Sequence, residues 1–294
     1  MTQTLPDSIL EVVVTEPHDA VHLLGVCAGY EDGCWRCSQL SLDLLGWALD
    51  WVLTPAELSG VGYANALDQV GKALARIYKT TDYERRGEIG ELLLHIILRR
   101  FMKTQKVISR MYFKDATNDT VKGFDAVHIV EPEPNSGKKL QLWLGESKFY
   151  TDSSSAMYAI IAELKEHLQA DYLRAEFGVI CDKIPAGWAY KEEVKALLDR
   201  TVSLDTVFES VVVPVFITFD SPTTTNHTSF SAEYKTAIQE ELRAEWESFR
   251  KKLGNATLPR SVVVHLILLP MATKKALIDD FDERLKGWQA ATRN

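Results

Sequence analysis

Apolar and polar positions recur with two different periods along this chain, and the switches between them lay out its elements. The runs 11–14 and 21–27 are rich in valine and leucine and read as short strands. A helical period follows over 38–52. Thr54-Pro55-Ala56-Glu57 then offers a threonine N-cap with proline at the first helical position. Ala66, Leu67, Val70, Leu74 and Ile77 predict a helix over 63–78. The longest signal runs over 82–102, where Ile89, Leu92, Leu93, Leu94, Ile96, Ile97 and Phe101 fill an arc of about 200°. Glu84, Glu88, Glu91, His95 and Arg99 share the rest. One acidic stripe thus runs along a helix otherwise built for burial.

Three strands are expected next, over 107–113, 124–130 and 140–150, separated by polar turns at 114–122 and 131–139. A helix over 155–176 leads into an apolar run at 177–184, read as a strand. Helices over 190–200, 231–253 and 274–290 then alternate with strands over 211–219 and 262–269. This alternation predicts an α/β fold, a mixed sheet flanked by helices, with an N-terminal α+β extension. A boundary is drawn near residue 80, dividing a 1–80 region suited to partner docking from an 81–294 domain.

Composition narrows the class. With 46% hydrophobic and 25% charged residues, collagen-like and disordered chains are excluded. No apolar run reaches the ~18–20 residues that cross a bilayer; the best, 261–270, contains His265, read as a core histidine. Residues 1–9 lack a basic region followed by an apolar stretch, so the expectation is a cytoplasmic protein without a membrane partner. Cys27, Cys34, Cys37 and Cys181 are too few for a disulfide scaffold. Cys34 and Cys37, with Cys27, His18 and His22 nearby, lack a second ligand pair at defined spacing and read as thiols rather than a zinc site.

The chemistry gathers around one strand. Leu140, Leu142, Leu144, Glu146 and Lys148 share one side of 140–150. Burying either charge alone costs several kcal/mol, so a carboxylate and an ammonium at the end of an apolar row serve a purpose or stay wet. With a turn centred between Asn135 and Ser136, residue i of the preceding strand faces residue 271 − i, which sets Asp125 opposite Glu146. Facing carboxylates repel unless a cation lies between them. Two hard oxygen ligands with open positions suit Mg²⁺ or Mn²⁺. Lys148 stands ready to hold an attacking water, and Glu91 or Glu88 of the 82–102 helix to complete or position the site. His128, three residues from Asp125, points to the opposite face, as does Trp143, read as packing. Tyr150 lies on the Glu146 face, and His95 reads as a helix-surface histidine. The bland alternative is a solvent-facing row with a cross-strand ion pair.

Glu88 in Arg-Gly-Glu-Ile-Gly-Glu91, Asp125 in Gly-Phe-Asp, and Glu146-Ser147-Lys148 in the next strand resemble the PD-(D/E)xK nuclease superfamily. The order of elements over about 82–184 is similar to that core, although no proline precedes Asp125. More narrowly, RRGEIGELLLHIIL, KGFDAVHI and LWLGESKFY look like the nuclease subunit of the Hachiman anti-phage defence system. The resemblance implies a restriction-endonuclease-like fold and a metal-dependent phosphodiesterase acting on DNA beside a superfamily-2 helicase subunit. Asp125 and Glu146, with Glu91 or Glu88, would hold the metal, and Lys148 would serve the water.

A net charge of −8 has the wrong sign for a DNA-binding protein unless cations are concentrated locally. They are: Arg99, Arg100, Lys103, Lys106, Arg110 and Lys114 follow one another with no intervening acid. No Walker A sequence occurs, so an ATP motor would come from a partner. Two alternatives remain, a non-catalytic subunit that guides DNA and docks a partner, and a stand-alone restriction or repair nuclease.

Overall fold

The computed structural model describes residues 5–77, 87–109, 123–131, 139–259 and 262–292. The chain opens with an antiparallel pair, β1 (Glu11–Glu16) and β2 (Val21–Cys27). A minimal hairpin follows, β3 (Tyr30–Glu31) and β4 (Cys34–Trp35). Its two-residue loop is Asp32-Gly33, both at positive φ (49° and 75°), the turn chemistry that matches strand twist. Helices α1 (Cys37–Val52), α2 (Pro55–Ser59), α3 (Ala66–Arg76) and α4 (Glu88–Arg100) come next. Thr54 caps α2 as expected, in a capping box with Glu57. Strands β5 (Gln105–Ser109), β6 (Ala126–Val130) and β7 (Gln141–Phe149) are followed by α5 (Ser153–His167), α6 (Ala170–Lys183), α7 (Lys191–Leu198) and α8 (Leu204–Phe208). The rest is β8 (Val211–Asp220), α9 (Pro222–Asn226), α10 (Ala232–Gly254), β9 (Val263–Met271) and α11 (Lys274–Ala291).

Among the described residues, seven strands form one mixed sheet in the order β1-β2-β9-β8-β7-β6-β5. The middle is parallel, from β2 through β9 and β8 to β7, and antiparallel pairs close both edges. Central β8 reads Val-Val-Val-Pro-Val-Phe-Ile-Thr-Phe and is buried along that whole length, as a strand covered on both faces must be. One face carries Leu142, Leu144, Val215, Ile217 and Leu266 against Met157, Ile160 and Leu164 of α5, Phe177 of α6 and Leu242 of α10. The other carries Trp143, Phe149, Phe216 and Ile267 against Trp47 of α1, Leu93 and Leu94 of α4 and Phe281 of α11. The result is an α/β protein of three layers. Residues on both sides of position 80 share this sheet and its helical cover.

Two elements differ from the expectation. The run 177–184 is not a strand but the second half of α6: Phe177, Ile180 and Ile184 are buried while Val179 is exposed, a helical spacing rather than an alternation. The single helix expected over 155–176 breaks at Leu168–Gln169, where Gln169 takes an extended backbone (ψ 145°) and starts α6. The strand that runs parallel beside β7 is therefore β8, reached only after α5 to α8. Residues 78–86 and 110–122, which include Glu84 and much of the expected 107–113 strand, lie outside the described residues, as does most of the 131–139 turn.

Candidate functional site

The β6–β7 pairing runs from Ala126↔Gly145 to Val130↔Gln141, so every pair of numbers sums to 271. Asp125, the residue before β6, thereby stands opposite Glu146. Its Oδ2 accepts hydrogen bonds from the Ser147 backbone N (2.9 Å) and Ser147 Oγ (2.8 Å), which ties the start of β6 to β7. The turn into Asp125 needs glycine. Gly123 has φ +141°, and a Cβ there would meet the Glu176 carboxylate of α6 at 2.7 Å. Glu176 is thus held over the approach to Asp125.

Glu146 and Lys148 follow Leu142 and Leu144 onto the α5 side of the sheet. Glu146 is only 2% exposed, and its Oε1 lies 2.5 Å from His167 Nδ1. An ionised carboxylate only accepts, so Nδ1 carries the hydrogen. Lys148 Nζ donates to Glu163 Oε1 at 2.6 Å. His167 is fixed from two further sides, stacked on Tyr172 (4.3 Å, 16°) and edge-on to Phe124 (5.4 Å). Burial pushes its pKa below the ordinary histidine value, against the pull of Glu163, Glu166, Asp125 and Glu176. Glu163 and His167 were absent from the sequence reading. Their signal is a Glu-x-x-x-His spacing, one helical turn, on the first helix after the Glu146-Ser147-Lys148 strand.

The two candidate acids of α4 come from the other layer. Gly90 lets α4 approach β7 closely, since a Cβ there would stand 3.1 Å from Phe149 Cβ and 3.4 Å from Ser147 Oγ. The first turn of α4 therefore lies beside the serine that holds Asp125. Glu91 is buried in that turn and Glu88 half-buried, both at the end of the helix where the dipole favours negative charge. The structure thus joins Asp125, Glu146 and Lys148 at one corner of the sheet, with the Glu91 turn against it from the opposite face. Among the described residues, no three His, Cys, Asp or Glu side chains already stand as a set of metal ligands.

The basic stretch divides. Lys106 is buried, and its ammonium donates to the carbonyls of Asp50, Trp51 (3.2 Å) and Leu53 (2.8 Å), capping the C-terminal end of α1. Burial pushes its pKa down to about 7. Arg99 binds Asp50 Oδ2 (3.1 Å) and the Thr104 carbonyl (2.7 Å). Neither is placed as a surface charge for a phosphate, contrary to expectation. Lys103 is exposed, at φ 54° where the chain leaves α4, and Arg100 is half-exposed beside Asp7. Arg110 and Lys114 lie outside the described residues.

Nor is His95 on the surface. It is 1% exposed, with Nε2 2.7 Å from Asp50 Oδ2 and Nδ1 3.3 Å from Nε2 of buried His128. His128 Nδ1 in turn lies 2.6 Å from Thr104 Oγ1. Among the described residues of the polar arc, Glu91 and His95 are buried against other protein, and Glu88 and Arg99 are half-buried.

Fold and corner together define a three-layer α/β protein with an acid–lysine cluster where β6 and β7 meet. The chain matches the HamA family model over residues 4–285 and belongs to that family, a component of Hachiman anti-phage defence. No curated protein matches it. No helix among the described residues is long and apolar enough to cross a membrane.

Proposed function

We propose that this chain is a metal-dependent DNA nuclease of the PD-(D/E)xK type, the effector of a Hachiman system, acting with a superfamily-2 helicase subunit. The observation that carries the reading is the placement of Asp125 opposite Glu146, both buried, with Lys148 two residues further along the same row. Two buried carboxylates at paired positions, one bonded to Ser147 and the other to His167, are eased by a cation. Their hard oxygen donors fit Mg²⁺ or Mn²⁺. The bonds from Ser147 and His167 orient them as a second coordination shell orients ligands. Asp125 and Glu146 would hold the ion; the third acid expected from α4, Glu91 or Glu88, comes from the opposite face of the sheet, beside Ser147 rather than beside Glu146.

The bound ion would supply Lewis acidity, making water nucleophilic near neutral pH and drawing charge from the phosphoryl oxygens. The protein's own groups do the rest. Lys148 orients the attacking water and offsets charge building on the phosphate. Arg100 and Lys103 meet backbone phosphates at the surface. Membership of the HamA family and the three sequence blocks support this reading. The absence of a Walker A sequence assigns any ATP-driven step to a partner.

With its helicase partner, DNA and Mg²⁺, the purified protein should cleave DNA, and Glu146→Ala and Lys148→Ala should each lose roughly 10²-fold or more. Calorimetry should show Mn²⁺ binding that Asp125→Ala and Glu146→Ala abolish. Wild-type cleavage by both Glu146→Ala and Lys148→Ala overturns the assignment. Metal binding that ignores Asp125 and Glu146 leaves a non-catalytic subunit that guides DNA.

A further inference from the structure

Helix α5 makes contacts with this corner that its packing does not require. Glu163 and His167 lie one turn apart on the face that meets β7, and each takes one member of the Glu146–Lys148 pair. An apolar residue at either position would cover β7 as well as Ile160 and Leu164 do. His167 is held so that its ring cannot turn away, stacked on Tyr172 and set against Phe124. Its Nδ1–H fixes which oxygen of Glu146 is engaged and in which plane the carboxylate lies. Glu163 Oε1 fixes the end of a side chain that otherwise has four rotatable bonds. Glu163 Oε2 is buried and, among the described residues, has no hydrogen-bond partner. A carboxylate oxygen left so is costly, and an ion pair kept for packing alone has no reason to carry it.

We propose that Glu163 and His167 are positioning residues, His167 orienting Glu146 for the metal and Glu163 orienting Lys148 for the water and phosphate. The proposal rests on the nuclease reading above. It divides the labour: the helix that begins two turns before Ile160 supplies no ligand, yet sets the direction of a ligand and of the catalytic amine. Removing the bond to a ligating carboxylate weakens metal binding, whereas removing the acceptor for Lys148 slows turnover and leaves the metal in place.

Mn²⁺ affinity, measured by calorimetry on the full-length protein, and DNA cleavage with the helicase partner separate these roles. His167→Ala should weaken Mn²⁺ binding about 10–100-fold. His167→Asn, which presents an amide N–H where Nδ1–H stood, should return affinity to within about threefold of wild type. Glu163→Leu should keep Mn²⁺ affinity and lower kcat about 10–100-fold with little change in KM for DNA, and Glu163→Gln, which keeps an acceptor for Lys148, should restore it. Thermal unfolding of each variant tells misfolding from misorientation, and the Asn and Gln variants keep the test alive if the truncations fail to fold. If wild type binds Mn²⁺ and cuts DNA while His167→Ala and Glu163→Leu behave like it, this proposal is overturned and the nuclease reading stands. Failure of the Asn and Gln variants to restore function overturns it too, since packing rather than hydrogen bonding would then be at stake. If wild type neither binds Mn²⁺ nor cuts, the nuclease reading itself is what has failed.

Discussion

The row Asp50–His95–His128–Thr104 has a fixed direction. Asp50 accepts only, so His95 donates through Nε2; its Nδ1 must then accept from His128 Nε2, and His128 Nδ1 accepts from the Thr104 hydroxyl. Both rings are neutral in this arrangement. Burial enforces it, pushing the His95 pKa down to about 4 despite Asp50, and that of His128 well below its usual value. In the unfolded chain both titrate near 6.5. Between those values the unfolded state binds more protons, so stability is full above about pH 6.5 and drains away as the pH falls toward 4. His95 and His128 both contribute to that loss. Urea midpoints taken from pH 7 to pH 4.5 should trace it. His95→Gln, which keeps a donor toward Asp50 but does not titrate, should flatten the curve, and an unchanged slope would exclude the network as its source. This row was not legible in the sequence. Burying His95 takes partners at positions 50 and 128, so a polar arc on α4 looked like its wet side.

At the scale of elements, α4 meets β7 through glycine. Gly90→Val should force the helix off Phe149 and Ser147, costing about 1–3 kcal/mol in chemical denaturation and loosening the serine that holds Asp125. Gly178 is the contrast. Nothing lies within 4 Å of a Cβ there, inside α6, so Gly178→Ala should add about 0.5–1 kcal/mol. Equal responses at the two positions would mean that the α4–β7 approach is not tight. The elements themselves were largely readable. The long apolar arc announced α4, and the Asp125–Glu146 register followed from turn symmetry because the β6–β7 ladder carries no bulge. The break between α5 and α6 was hidden, since neither glycine nor proline marks Leu168–Gln169, and an eight-residue apolar run serves a strand or a buried helix equally well. Glu163 and His167 went unnoticed for a related reason: on an amphipathic helix, charged positions look like the solvent side until the neighbouring strand is known to bring charges of its own.

The whole molecule carries a net charge of −8, so its long-range field repels DNA, and any affinity must come from a few local cations. Among the described residues, Arg100 and Lys103 are the members of the basic stretch that stay accessible. Arg100→Ala with Lys103→Ala should weaken DNA binding at every sequence and reduce the slope of log affinity against log salt by about 2. Lys106→Met should leave that slope unchanged, because its ammonium is spent on α1. A double variant with the wild-type slope would move the DNA path elsewhere. The sheet adds a consequence in time. β2 is flanked on one side by β9, with Val21 beside Val264, so the strands a ribosome releases first await a neighbour made much later. Folding that depends on so distant a pairing is slow, and a half-made polypeptide has no finished platform beneath the β6–β7 corner. The order of synthesis thus delays the corner: Asp125, Glu146 and Lys148 sit on a completed sheet only once β9 has been made.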